Sequence, residues 1–214
     1  MCYDFFNLAG AASPSVESTM KTTAVCVGVI AAGFLSTAAL AQTVQQDQQR
    51  DVNQQQRIEN GLQSGQLSTH EAGQLERQQQ HIDKMESRDL RDGTMSAGEQ
   101  ARLNAAQNRA SATIAADKHN GVGGNPNSAS SQRMQADVQR NVNQQQRVAN
   151  GINNGSLTNH EVGALERGQA HVDRKEANAA ANGHVGAREQ GRIQRAENHQ
   201  SGRVYRKKHN GRVG

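Results

Sequence analysis

Residues 64–90 read SGQLSTHEAGQLERQQQHIDKMESRDL, and residues 154–180 answer them with NGSLTNHEVGALERGQAHVDRKEANAA. In the first stretch Ala72, Leu75, Ile82 and Leu90 recur at helical spacing, and Val162, Leu165, Val172 and Ala180 take the same places in the second. Such a pattern marks a helix with one apolar face. The correspondence extends outward from Asp47–Gly121 to Asp137–Gly211 at a constant offset of 90 and with no gap. About half the positions are identical, which is the signature of a tandem duplication.

Glycines divide each copy into three. Gly61 and Gly65 separate a Gln-rich run, Val44 to Asn60, from the stretch His70 to Leu90, and Asp92-Gly93 separates that from Ala97 to Lys118. Copy two breaks at Gly151, Gly155 and Asn182-Gly183. The third segments offer Leu103, Ala110 and Ile114, answered by Ile193 and Val204. In the first segment Val44, Val52, Ile58 and Leu62 do not fall on one stripe. The expected fold is all-α, a tandem duplication of a small three-helix module.

Polar residues interrupt the middle stripe. Gln79/Gln169 and Glu86/Glu176 are identical in both copies although they lie near the apolar face; an edge position is the expectation for them, and bonding across helices the alternative. Asp83 and Glu86, three residues apart on one face, read as solvated carboxylates.

The N-terminal region carries an address. From Met20 the chain runs MKTTAVCVGVIAAGFLSTAALA, one Lys followed by about a dozen apolar residues and an Ala39-Leu40-Ala41 cleavage pattern. This reads as a secretory signal peptide over 20–41, too short to span a bilayer, with a permanent anchor as the alternative. Residues 1–19 read as an over-extended gene start. The remaining divisions are helical repeat 1 (42–121), a linker (122–132, within GVGGNPNSASSQ) and helical repeat 2 (133–214) with a basic tail. Cys2 and Cys26 both precede the cleavage point, so no disulfide or thiol site is expected afterwards. Periplasmic or secreted location in a Gram-negative bacterium is the expectation, with no stable membrane span after cleavage.

Trp is absent, and Tyr205 is the only aromatic residue beyond Ala41. With little apolar area to bury, each module taken alone is expected to be marginal, and folding on binding is the alternative. Copy one (45–121) has nine Lys and Arg against eleven Asp and Glu, whereas copy two (135–214) has thirteen against seven. Oppositely charged repeats could dock within a chain or associate head to tail between chains. The basic end, with Arg203, Arg206, Lys207, Lys208 and Arg212, suits an anionic envelope component or serves as a solubilising tail. Nucleic acid is not expected as a partner, because aromatic side chains for stacking are missing.

Four loops share one pattern: NGLQSGQLSTHE (60–71), RDLRDGTMSAGE (88–99), NGINNGSLTNHE (150–161) and NAAANGHVGARE (178–189). Glycine at the sixth place and Glu at the twelfth resemble the latter half of an EF-hand calcium loop. The first and third places lack the ligands calcium needs, being Asn or Arg and then Leu, Ile or Ala. The same letters form capping boxes, with a Ser or Thr hydroxyl accepting from a backbone N–H and Glu reaching back. Capping is the expected role, and calcium the lesser alternative.

The metal-ligand candidates are the histidines that pair between copies: His70/His160, His81/His171 and His119/His209. His70 and His81 share a helix face about 16 Å apart, so they cannot hold one ion by themselves. His119 or His209 folding back towards them would make a copper, nickel or zinc site. A solvated polar face is the expected role, and that metal site the lesser alternative. No catalytic residue or organic cofactor is expected, since no nucleophile elbow, phosphate loop or metalloprotease motif occurs.

The stretches Ser64-Gly65 through Glu76, Asp92-Gly93 through Glu99, and Lys118-His119-Asn120 resemble small exported proteobacterial proteins with SGxLTxxE and DGxxxxxE patterns ending near KHN. Gly155 through Glu166 and Lys208-His209-Asn210 repeat them, with departures at Asn154, Asn182 and Gly186. The resemblance implies a periplasmic helical protein and transfers no activity. The reading is a non-catalytic interaction or envelope-stress module with a protein or envelope partner; the alternative is a divalent-metal binder.

Overall fold

The computed structural model describes residues 35–212 and 214, with side chains from residue 43. The expected start segment 1–19 and residues 20–34 of the expected signal peptide lie outside them. Among the described residues six helices form in chain order: α1 (Leu35–Ser64), α2 (Thr69–Asp89), α3 (Ala97–Asp117), α4 (Ala129–Asn153), α5 (Asn159–Ala179) and α6 (Ala187–Lys208). Short 3-10 turns, Leu90–Asp92 and Ala180–Asn182, follow α2 and α5. No strand occurs among the described residues, and the fold is all-α. Nor is any described helix long and apolar enough to cross a membrane.

Local chemistry sets the helix starts. The hydroxyls of Ser68, Ser96 and Thr158 accept from the N–H groups of Glu71, Glu99 and Glu161, and each carboxylate returns to its cap's own N–H at 2.9, 2.9 and 3.2 Å. These are complete capping boxes. At α6 the cap is Gly186, so only the return bond remains, Gly186 N to Glu189 Oε2 at 2.8 Å. Gly93 and Gly183 close the 3-10 turns at φ of 86° and 80°, a left-handed conformation that a residue with a Cβ seldom adopts.

Packing interleaves the copies. The start of α1 (Val44) shares a core with the end of α4 (Val148) and with Val162 and Leu165 at the start of α5, which meet Met85 and Leu90 from the end of α2. The second core joins Ile58 and Leu62 of α1 to Met134 and Val138 of α4, and Ala72 and Leu75 of α2 to Ala179 and Ala180. Hence α1 runs antiparallel to α4, and α2 to α5. α3 lies against α1 and α2, while α6 lies against α4 and α5. Neither copy has a core of its own, so the thinness of one module is made good by its twin.

The α2–α5 seam is close where it crosses the 3-10 turns. A Cβ on Gly73 would sit 2.5 Å from Ala180 Cβ, and one on Gly163 would sit 2.9 Å from Leu90 Cβ. Glycine lets the two elements meet at both ends.

The polar interruptions of the stripe are not at its edge. Gln79 and Asp83 are 0 % exposed and Glu86 is 1 % exposed; Gln169, Asp173 and Glu176 of copy two are equally buried. The edge expectation for Gln79/Gln169 and Glu86/Glu176 fails, as does solvation for Asp83 and Glu86. The reason is width: α2 packs against α5 and α1 at once, so its inner face is broader than its aliphatic residues mark. Gln79 Nε2 donates to Gln54 Oε1 at 2.9 Å, and Gln169 Nε2 donates to Asn141 Oδ1 at 2.8 Å. These residues bond across helices.

Candidate metal centre

Helix α2 directs Glu76, Asp83 and Glu86 inward, and α5 directs their counterparts Glu166, Asp173 and Glu176. Steps of three and seven residues keep each set on one helix face. Because the helices are antiparallel, the ends trade places. Glu76 meets Asp173 and Glu176, while Glu166 meets Asp83 and Glu86. In each trio one oxygen per residue lies within 4.8 Å of the others.

Helix α1 adds to both clusters and α4 to one. Gln55 Nε2 donates to Glu76 Oε2 at 2.9 Å, and Asn141 Nδ2 to Glu176 Oε2 at 2.7 Å. On the other side Gln48 Nε2 donates to Glu86 Oε2 at 3.0 Å. Asp51 adds a seventh carboxyl beside Glu86, its Oδ1 accepting from Gln107 at 2.9 Å. Between the clusters the carboxyls of Asp83 and Asp173 face each other directly.

No ion pair among the described residues involves any of these seven carboxyls. No Lys, Arg or His is among the described buried residues. An ionised carboxylate taken out of water without a cation costs several kcal/mol, so seven together cannot all stay charged unaided. Burial accordingly pushes Asp51 and Asp173 up to about 7. Burial first, then the neighbouring negative charges, drive Glu76, Asp83, Glu86, Glu166 and Glu176 well above the usual carboxylate range. Protons or metal ions have to balance the site.

Several oxygens of the site are left without a donor. Both oxygens of Asp83 and one each on Glu76, Glu86, Glu166, Asp173 and Glu176 accept no hydrogen bond from the protein. The amide carbonyls of Gln48 and Gln55, nearly fully buried and with their nitrogens donating to the clusters, also lack a donor. Such a set of carboxylate and amide oxygens suits hard divalent cations, which take six or more oxygen ligands.

The predicted histidine ligands lie elsewhere. His70, His81, His119, His160, His171 and His209 are all exposed, and no group of three ligand side chains among the described residues contains a histidine. His160 Nδ1 sits 2.8 Å from Arg91 O, His70 bonds Gln74, and His209 stacks on Tyr205. In the EF-hand-like loops the twelfth-place Glu residues are engaged as caps, and Asn120 and Asn210 bond the second oxygens of Glu71 and Glu161.

Sequence reasoning missed the carboxylates, although a signal was there. Positions 76, 79, 83, 86 and 90 advance by alternating steps of three and four, the spacing of a buried helix seam. Four of the five are identical in copy two at 166, 169, 173 and 176. Reading only aliphatic residues as core hid them.

Comparison with known proteins finds no matching family model, no matching curated protein and no matching solved structure.

Proposed function

We propose that this chain is a non-catalytic divalent-cation-binding protein, with its ions held between α2 and α5 by Glu76, Asp173 and Glu176 and by Glu86, Glu166 and Asp83. One observation carries the reading: seven buried carboxyls converge with no buried cation to offset them. The donor set contains neither nitrogen nor sulfur, which favours calcium or manganese over copper, nickel or zinc. Magnesium is less suited, because it gives up its water shell reluctantly and these carboxyls are fully buried. The capped helices on all sides make the site rigid, as a binding or buffering protein requires.

Thermal melting of chelator-treated protein in added calcium, manganese, magnesium, zinc or copper tests this. Calcium or manganese at 100 times its Kd should stabilise by about 2.7 kcal/mol, a rise of roughly 5–10 °C for a chain of this size. Glu76→Gln with Glu86→Gln should abolish the rise. Absence of any calcium or manganese effect at millimolar concentration would sink the proposal.

A further inference from the structure

The outer faces of the same helices carry the opposite charge. A depression of about 650 Å³ between α2 and α5 adjoins one of about 520 Å³ between α5 and α6, and the two share Arg167 and His171. Lys84 and Arg91 line the first on one wall and Arg174 on the other. Lys175, Arg192, Arg195 and Arg203 line the second. No carboxylate lines either. Arg88, which also lines the first, pairs with Asp89 at 2.8 Å; none of the other eight Lys and Arg residues forms an ion pair among the described residues. Their mutual field is felt locally: the His171 imidazole is held below its usual range by partial burial and by Lys175 and Arg174.

Length along the helices selects the ligand. Arg192 to Arg203 spans about 16 Å of α6, and Arg167 to Arg174 about 10 Å of α5. One phosphate could meet two or three of these cations, whereas a row of phosphates meets most of them. The large exposed apolar residues, Val122 and Tyr205, lie outside both depressions, so the groove has neither a wedge for lipid nor a ring for stacking a base.

The duplication supplies a control. A depression of about 510 Å³ at Arg77, His81, Arg109 and Thr113 is the copy-one counterpart of the α5–α6 depression. There Met85, Ala105 and Thr113 stand where copy two has Lys175, Arg195 and Arg203. The scaffold is common to both copies, and the added charge is confined to one.

We propose that the joined cationic groove of α2, α5 and α6 binds a soluble chain of linked phosphates, through guanidinium and ammonium contacts to successive phosphate groups.

Calorimetric titration of metal-free full chain with sodium tripolyphosphate, longer linear polyphosphate and orthophosphate tests this. Tripolyphosphate should bind at least about tenfold more tightly than orthophosphate, and added salt should weaken it. Arg174→Gln, Lys175→Gln and Arg195→Gln together should lower affinity at least about tenfold at an unchanged melting temperature, while Arg77→Gln with Arg109→Gln should leave it intact. If the triple variant melts early, exposed Arg195→Gln alone should still flatten the salt dependence. Tripolyphosphate binding no tighter than orthophosphate, or undiminished in the groove variant, overturns the proposal. So does tighter binding to phosphatidylglycerol vesicles or to a thymidine oligonucleotide than to polyphosphate.

Discussion

The two carboxylate clusters began as copies of one another and are no longer equivalent. Around Glu86 and Glu166, α1 supplies Asp51 and Gln48; around Glu76 and Glu176, α4 supplies Asn141 and Val138 at the matching positions. The Glu86 cluster therefore carries Asp51, whereas a further carboxylate near Glu176 in the other is Glu197, paired with Arg140 at 3.2 Å; each cluster has one amide carbonyl without a donor, of Gln48 or Gln55. The other has an amide that already donates to Glu176 at 2.7 Å. For a buried oxygen site, charge count and free carbonyls set both affinity and ion preference. The two places thus differ at the matching positions 51 and 141, and under the proposed function the Asp51 cluster is expected to bind the more tightly.

The severest test of that contrast removes one cluster at a time. Glu86→Gln with Glu166→Gln should eliminate the tighter binding event in a calcium or manganese titration, weakening it more than about 100-fold, and leave the weaker one in place. Glu76→Gln with Glu176→Gln should do the converse. If either pair abolishes both events, the clusters form one site.

Exchanging the distinguishing residue is gentler. Asp51→Asn should weaken the stronger event by about tenfold, and Asn141→Asp should strengthen the weaker one by a similar factor. Equal affinities in the Asp51→Asn variant would locate the whole difference at that position.

Acidity acts on both clusters together. Folded-state pKa values lie above those of the unfolded chain, with Asp51 and Asp173 at about 7. The folded state thus holds more protons. Its stability is fully present below the ordinary carboxylate range and is lost as pH rises through about 7. Metal-free protein should melt several degrees lower at pH 8 than at pH 5, and cation binding should tighten over the same interval because it displaces those protons. A melting temperature that rises with pH in chelator would contradict this.

Smaller effects probe the seam and the caps. Gly73→Ala, facing Ala180 Cβ at 2.5 Å, should destabilise by about 1–3 kcal/mol, with Gly163→Ala somewhat milder against Leu90. Ser68→Ala should cost about 1 kcal/mol, equally with and without calcium. Gly186→Ser, restoring the missing hydroxyl, should gain a few tenths of a kcal/mol in a urea melt.

Much of the architecture was legible because it rests on local chemistry. Ser68, Ser96 and Thr158 with their Glu partners mark helix starts by hydrogen bonds only three residues long, and Gly93 and Gly183 mark stops through their own backbone. The buried carboxylates were not legible, for a reason visible at Asp83. A carboxylate on a helix is ordinarily outside, and only the approach of α5 and α1 makes that face an interior. The paired histidines are the simpler case: His81 and His171 are both exposed, as a solvated polar face requires.

By itself the sequence determined six helices, their caps and breaks, and the twofold repetition, since each depends on interactions within a few residues along the chain. Tertiary structure alone decided that the copies interleave, that Glu76 meets Glu176 rather than a neighbour of its own copy, and that the outward Arg and Lys residues of α5 and α6 gather into one groove. Those outcomes depend on which faces of distant helices are pressed together. Antiparallel pairing of α2 with α5 turned a polar stripe into a buried cluster of acids.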